Sequence, residues 1–370
     1  MYINLLRHGE TERQEEKRYY GKTDVALSEE GREKLFASGN KPERVYVSGL
    51  SRSRQTAEII YPGAEYIVVP ELNEMDFGDF EGKNWYEMKD DPEYQAWVDS
   101  ECTGRCPGGE SKTEFSGRIC KAMTELVARE TKEGRNEIFI VAHGGTIMAS
   151  LERFGTDRNG EYYEWLPGYG EGYRIECTWK GTDMQWSVIR RLSYDKSAGR
   201  IHLYYGEGRG KTSIAMGTAL RALRAGRQVK IVQFCKSKGS GETEQLEKLG
   251  AMAYYGKEGA GFVSAMNEAQ KKTLKEKQTD LLKEILFAPI PYPEGSLLIL
   301  DEVCAALEQD VLDEATVWDT VVRKKSPIEI IMTGRHPKGW MLAASDYVTE
   351  LKEIQHPYHD GLTARAGIEF

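Results

Sequence analysis

Two histidines in the first 195 residues share one local context: His8 in LLRHGE and His143 in IVAHGG each follow a short apolar run and precede glycine. Residues just beyond the carboxyl ends of parallel strands line the binding crevice of an α/β sheet. A lone histidine there is commonly structural, but two in the same setting point to a site. Arg7 beside His8, and Arg52 in SGLSRSRQTAE at the start of an expected helix, bring planar guanidinium forks that can clamp a tetrahedral oxyanion. A neutral imidazole in such a pocket can attack phosphorus and form a phosphohistidine. The departing alkoxide then needs a proton from a carboxylic acid. Glu74, in the glycine-punctuated stretch PELNEMDFGDFEG, is the candidate; Arg54 reads as a solvated helix face.

A second constellation opens at Gly206 with GEGRGKTS, set between an expected strand and an expected helix. In that context the backbone of Gly206, Glu207, Gly208, Arg209 and Gly210 forms a phosphate cradle. Lys211 adds charge, and a hydroxyl of Thr212 or Ser213 reaches Mg²⁺. Further on, SLLILDE ends an apolar strand in Asp301 and Glu302, the arrangement that holds the metal or its waters. The loop is one residue shorter than an ordinary phosphate loop. The same cradle can stabilise a γ-phosphoryl group in flight or hold a triphosphate that leaves while a nucleophile attacks the ribose carbon. The short loop hints that the phosphates are not arranged in the ordinary way.

The elements that must position these residues alternate short apolar runs with longer amphipathic stretches, which predicts an α/β architecture. Strands are expected at Tyr2–Leu6, Arg44–Val47, Tyr66–Val69 and Glu137–Ala142, then at Arg200–Tyr205, Gln228–Phe234, Ser296–Leu300 and Ile328–Thr333. Helices are expected at Glu29–Ser38, Ser51–Tyr61, Gly117–Glu133 and Thr146–Phe154, then at Lys211–Ala225, Ala265–Leu286 and Val311–Arg323. The polar stretch SYDKSAG separates the halves, giving domains 1–194 and 195–370. A chain of 370 residues accommodates two such domains, each able to bury its own core.

With 40% hydrophobic and 29% charged residues the composition is globular, and the net charge of −9 argues against nucleic-acid binding. No run of eighteen apolar residues suggests a membrane span, and the N-terminus lacks signal-peptide order. The expected location is cytoplasmic. Six cysteines then read as reduced thiols, since Cys102 and Cys106 have neither zinc-knuckle nor redox spacing.

RHGET, YYGKTDVALSEEG, SGLSRSRQTAE, ELNEMDFGDFEG and AHGG, in that order, resemble the motifs of the histidine phosphatase (phosphoglycerate mutase-like) superfamily. The resemblance implies a three-layer α/β/α domain with His8 as nucleophile and Glu74 as proton donor. Arg7, Gln14, Arg52 and His143 then become ligands of the substrate phosphate. Gln14 stands where an asparagine is usual, and Gly49 replaces a common proline. Within the superfamily ELNEMDFGDFEG is most similar to the α-ribazole phosphatases of cobalamin assembly, which implies a substrate such as α-ribazole 5′-phosphate or the cobalamin 5′-phosphate.

GEGRGKTS, KIVQFCKSKGSGE, LILDEVCAAL and the closing segment IIMTGRHPKGWMLAASDYVTELKEIQHPYHDGLTARAGIEF resemble the P-loop corrinoid adenosyltransferases. That family has the short loop on a parallel-sheet P-loop fold and moves the 5′-deoxyadenosyl group of ATP onto a Co(I) corrinoid, releasing triphosphate. Co(I) is itself a strong nucleophile, so no protein base is implied. The resemblance implies ATP and a corrinoid as substrates, Mg²⁺ or Mn²⁺ near Thr212, Asp301 and Glu302, and Phe262 and Arg335 on the corrinoid side. An external flavoprotein-type reductant and a second copy of the chain in a homodimer complete the expected partners. Cys304 sits where an asparagine is often found, and GAGFVSA lacks a tryptophan expected soon after Phe262. The alternative is a general sugar-phosphate phosphatase or mutase joined to an ATPase or kinase.

Overall fold

A computed structural model describes residues 1–12, 16–156, 162–236, 241–256, 263–286, 295–323, 328–363 and 365. Gln14 and Phe262 lie outside the described residues. The chain divides into two compact units, Met1–Lys196 and Ser197–Phe370. No described helix is long and apolar enough to cross a membrane.

The first unit is built on six strands: β1 (Tyr2–Arg7), β2 (Arg44–Val47), β3 (Glu65–Val68), β4 (Glu137–Ala142), β5 (Glu171–Lys180) and β6 (Asp183–Ser193). Their order is β3-β2-β4-β1-β5-β6, with the first four parallel and the β5–β6 hairpin antiparallel at one side. The run IFIVA is apolar throughout and INLL is apolar apart from Asn4, whose buried amide donates to Glu137 and to the Ile138 carbonyl, because these strands are covered on both faces. Leu6 and Val141 pack with Ala57 and Ile60 of the helix Ser51–Ile60, while Leu5 and Ile140, pointing the other way, are equally buried.

The second unit carries β7 (Ile201–Tyr205), β8 (Val229–Gln233), β9 (Met252–Tyr255), β10 (Leu297–Asp301), β11 (Glu329–Gly334) and β12 (Tyr347–Glu350). All six are parallel, in the order β12-β7-β11-β10-β8-β9. β8 and β10 are buried at every residue. The helix Lys211–Arg224 leaves the carboxyl end of β7 and buries Ala215, Met216 and Ala219 against the sheet.

Several elements depart from expectation, each for a local reason. The hairpin β5–β6 is additional. Its alternation, with Tyr173, Ile175 and Cys177 and then Met184, Trp186 and Val188 inside, is a period-two signal closed by a turn with Gly181 at φ 64°. The helix expected at Glu29–Ser38 ends at Lys34, because Leu35 turns extended, is buried and pairs with Asp195. The helix expected from Gly117 begins at Lys112, where Ser111 and Glu114 form a reciprocal capping box. The helix expected from Val311 begins at Glu314, because Asp313 caps it by accepting from the Thr316 N–H at 2.8 Å, and its last turn, Asp319–Arg323, widens to a π-helix.

Two candidate active sites

The first site follows from strand order. β2, β4 and β1 are neighbours with Val47 opposite Val141 and Ala142 opposite Arg7. The next residues, Ser48, His143 and His8, therefore emerge side by side at the carboxyl edge. The His8 and His143 rings lie 5.2 Å apart, edge to face. Nδ1 of His8 is 2.7 Å from the Gly9 carbonyl, which can only accept, so Nδ1 carries the proton and the Nε2 lone pair is free. His143 Nε2 meets the Ser48 hydroxyl at 2.7 Å, leaving its buried Nδ1 unpaired.

Two arginines surround this pair. Arg7 donates to the Pro167 carbonyl at 2.9 Å and lies 3.8 Å over the Tyr169 ring, yet its buried Nε has no partner. Arg52, 2% exposed, donates to the carbonyls of Thr23 and Gly21, each at 2.8 Å, and of Tyr20 at 3.2 Å. The loop carrying those carbonyls is held from its N–H side by Glu81, whose carboxylate accepts from Gly21, Lys22 and Thr23. Burial, Arg52 and Arg7 push the His8 pKa well below 6.5, and burial, Arg52 and His8 do the same for His143. The arrangement is a neutral imidazole beside two cations, with two buried nitrogens lacking a partner, Arg7 Nε and His143 Nδ1. The Arg7 Nε donor is one that an anion can satisfy.

Glu74 reaches the same edge. Its Oε2 accepts from Gly145 N–H at 3.0 Å and its Oε1 from Met75 N–H at 3.0 Å. The two glycines after His143 let these neighbours approach: a Cβ on Gly145 would fall 2.2 Å from Glu74 Oε1 and displace that carboxylate, and one on Gly144 would fall 2.3 Å from a Leu166 methyl. Beside Glu74 opens a cavity of roughly 370 Å³ walled by Tyr19, Phe77, Trp97, Phe115, Tyr162 and Tyr163. Gly49, where the resemblance anticipates proline, donates its N–H to Asn73 Oδ1 at 2.6 Å, a bond that proline could not make. Arg54 pairs with Glu58 on the exposed helix face.

The depressed histidine pKa values carry a stability consequence. Unfolded histidines take up protons near pH 6.5, whereas folded His8 and His143 stay neutral to lower pH. The unfolded state therefore binds more protons just below 6.5, and stability is lost as pH falls from there, by up to about 1.4 kcal/mol per pH unit for each histidine. Urea unfolding of wild type and His8→Gln between about pH 7 and about pH 5.5 checks this: the variant's slope should be shallower by about one proton.

In the second unit the phosphate loop follows β7 and is braced from below. Gly206 donates to the Arg335 carbonyl at 3.1 Å and Gly208 to the Leu351 carbonyl at 2.7 Å. A Cβ on Gly208 would meet the Leu351 backbone at 2.8 Å, and Gly206 and Gly210 hold φ of 107° and 112°. Glycine is thus required by close approach at one position and by backbone conformation at the others. Arg209 is exposed. The first N–H groups of the helix Lys211–Arg224 have no partners within it. Lys211 folds back onto its own loop, donating to the carbonyls of Gly206 at 2.6 Å and Gly208 at 2.9 Å, and burial lowers its pKa. Arg335 pairs with Glu207 at 3.1 Å, so its guanidinium sits at the loop, and His336 bridges Glu207 and Glu308.

Asp301, fully buried at the end of β10, gathers the loop to the sheet. Its Oδ1 accepts from Thr212 Oγ1 at 2.9 Å and Thr333 Oγ1 at 2.7 Å; its Oδ2 accepts from Gln233 Nε2 and Lys236 Nζ, each at 2.8 Å. Burial would raise its pKa, but Lys236 and these bonds outweigh it and hold the carboxyl below the usual range. Of the two candidate hydroxyls, Thr212 is the one tied to Asp301; Ser213 is exposed. Glu302, at φ 61°, is raised in pKa by burial and by Asp301. Among the described residues no three His, Cys, Asp or Glu cluster into a complete metal cage. The hydroxyl of Thr212 and the carboxylates of Asp301 and Glu302 nevertheless fit Mg²⁺, which favours hard oxygens and takes the rest of its shell from waters and substrate phosphates.

The sequence reading named neither Ser48, Tyr169 and Glu81 in the first unit nor Gln233, Lys236, Thr333 and Leu351 in the second. Ser48, Gln233 and Thr333 all lie at or just beyond the carboxyl ends of parallel strands, so the rule that located the histidines could have found them. Nothing local marks Leu351, which acts through its backbone.

Comparison with known proteins assigns a family to each unit. Residues 3–187 match the histidine phosphatase superfamily (branch 1), and residues 197–370 match the ATP:corrinoid adenosyltransferase family BtuR/CobO/CobP. A corrinoid adenosyltransferase of Sinorhizobium sp is 31% identical over 176 residues, covering 46% of this chain and 80% of the relative. The 2,3-bisphosphoglycerate-dependent phosphoglycerate mutase 2 of Gloeobacter violaceus is 33% identical over 160 residues, covering 40% of this chain and 72% of the relative. The crystal structure of the α-ribazole phosphatase from Shigella flexneri aligns with a TM-score of 0.42 and 23% identity, over 51% of this chain and 95% of that one. The chain therefore belongs to two families at once: it is a bifunctional enzyme whose first unit is a histidine phosphatase superfamily domain and whose second is a corrinoid adenosyltransferase.

Proposed function

We propose that the first unit hydrolyses α-ribazole 5′-phosphate, or the corresponding cobalamin 5′-phosphate, through a phosphohistidine on His8. The phosphoryl group is held by Arg7, Arg52 and His143, with Gln14 a further ligand. The observation that carries the phosphate reading is a neutral imidazole beside two arginines, one of which keeps a buried donor, Arg7 Nε, without a partner. His8 Nε2 attacks phosphorus, and Glu74 gives its proton to the departing 5′-oxygen. As a carboxylate, Glu74 then takes a proton from the water that hydrolyses the phosphohistidine. The aromatic cavity beside Glu74 supports a leaving group with a flat apolar base over a small phosphosugar.

In the second unit, the loop from Gly206 to Ser213 grips the triphosphate of ATP while its ribose C5′ is presented to the Co(I) corrinoid substrate. Lys211 exchanges its loop carbonyls for phosphate oxygens. Thr212, Asp301 and Glu302 would hold Mg²⁺ or Mn²⁺, which supplies charge neutralisation for the leaving triphosphate. The protein contributes proximity, exclusion of water and a grip on the leaving group.

Two assays test this reading. With ATP and a chemically reduced corrinoid, tripolyphosphate and a cobalt–carbon bond should appear together; ADP and phosphate instead would mean an ATPase or kinase. With phosphomonoesters, α-ribazole 5′-phosphate should be preferred to 3-phosphoglycerate. Tyr163→Ala, an exposed cavity-wall residue, should raise the KM for α-ribazole 5′-phosphate by up to about tenfold, leaving that for 3-phosphoglycerate unchanged.

A further inference from the structure

Lys236 lies three residues past β8, and its ammonium reaches back to the fully buried Asp301, 2.8 Å from Oδ2. The other three donors on that carboxylate, Thr212, Thr333 and Gln233, are neutral. A carboxylate withdrawn from water is tolerated only with a compensating positive charge. Lys211 does not supply it, because its ammonium is spent on the carbonyls of Gly206 and Gly208. Lys236 is thus the one cation in contact with Asp301 among the described residues, and it fills the last acceptor position of the carboxylate.

The two partners differ in their freedom to move. Asp301 ends a strand buried at every residue and has no exposure. The Lys236 side chain is about one-third exposed, on a flexible four-carbon stem. When a further cation arrives, the lysine is the partner that can leave at little cost. A divalent ion entering alone would have to displace an ion pair and leave the freed ammonium to water. Entering with a triphosphate, it brings the anion that can take that ammonium up.

We propose that Lys236 is a resident counter-cation for Asp301, which keeps the divalent-ion position closed until nucleotide and metal arrive together and then passes its ammonium to the incoming triphosphate. This rests on reading the site as one for a metal–nucleotide complex. Metal binding and nucleotide binding become coupled through a single ion pair, each raising the affinity of the other.

Mn²⁺ binding to the full-length protein, followed by electron paramagnetic resonance, tests the idea without requiring turnover. Wild type should bind Mn²⁺ weakly without ATP and tightly with it. Lys236→Met, which keeps the aliphatic stem, should bind Mn²⁺ without ATP at least about tenfold more tightly than wild type and show a smaller gain on adding ATP. Lys236→Gln, which retains a donor to Asp301 and so guards against loss of the fold, should behave like Lys236→Met. Lys236→Arg should exclude free Mn²⁺ as wild type does. In the methionine and glutamine variants, Mn²⁺ alone should also raise the melting temperature. Equal affinity of wild type and both uncharged variants for free Mn²⁺ overturns the proposal while leaving the nucleotide site intact. Failure of wild type to bind Mn²⁺ even with ATP overturns the metal–nucleotide reading itself, and the proposal with it.

Discussion

His8→Ala should lower phosphatase turnover by at least about 10⁴-fold and leave adenosyl transfer unchanged. The magnitude follows from what the substitution removes: the imidazole nitrogen whose lone pair the Gly9 carbonyl leaves free. The His143 ring lies 5.2 Å away with its Nε2 held by Ser48, so it does not present a nitrogen at the position that His8 Nε2 occupies. The cationic surroundings of Arg7 and Arg52 persist in the variant, so phosphate should still bind. KM should change little while kcat collapses, the pattern of a group used only in the chemical step. Rapid quench with labelled substrate should trap an acid-labile phosphoenzyme in wild type and none in the variant. A His8→Ala protein that retained the burst would remove His8 from the mechanism.

Asp301→Ala should abolish adenosyl transfer and, unlike a loss of the loop lysine, should also weaken the second unit by roughly 3–5 kcal/mol. The carboxylate is fully buried and takes donors from four different segments: the loop helix through Thr212, β8 through Gln233, the β8 exit through Lys236 and β11 through Thr333. Removing it leaves an ammonium and three neutral donors without their acceptor. Lys211→Met, by contrast, deletes only bonds from the lysine to its own loop, so it should lose transfer with little loss of stability. Calorimetry of the full chain with phosphatase activity measured in parallel separates the cases. In Asp301→Ala one melting transition should fall while phosphatase activity persists; an unchanged transition would mean that the four-way junction is not structural.

The two outcomes exploit different kinds of legibility. His8 and His143 could be found from the sequence because their signal is local: an apolar run, a histidine and a glycine, twice. The phosphate loop was legible for the same reason, since its conformation depends on glycines placed in one short stretch. The long helix Lys112–Lys132 is half legible: its amphipathic body is plain from Gly117 onward, whereas its start depends on the capping box of Ser111 and Glu114. The hairpin β5–β6 had an alternating pattern that a stricter count of period two would have found.

By itself, then, the sequence determined the class of fold, the families, the paired histidines and the glycine loop, because each is encoded within a few consecutive residues. Tertiary structure alone decided which nitrogen of His8 is free, since that depends on the Gly9 carbonyl within the folded turn. It also decided that Ser48 holds His143 and that six aromatic rings converge beside Glu74. The Leu351 backbone under the phosphate loop and the Lys236 ammonium on Asp301 belong to the same class. These contacts join residues up to more than a hundred positions apart. Apart from the adjacent His8–Gly9 pair, the fold and not spacing along the chain brings them together, and no local pattern records which strand ends will be neighbours.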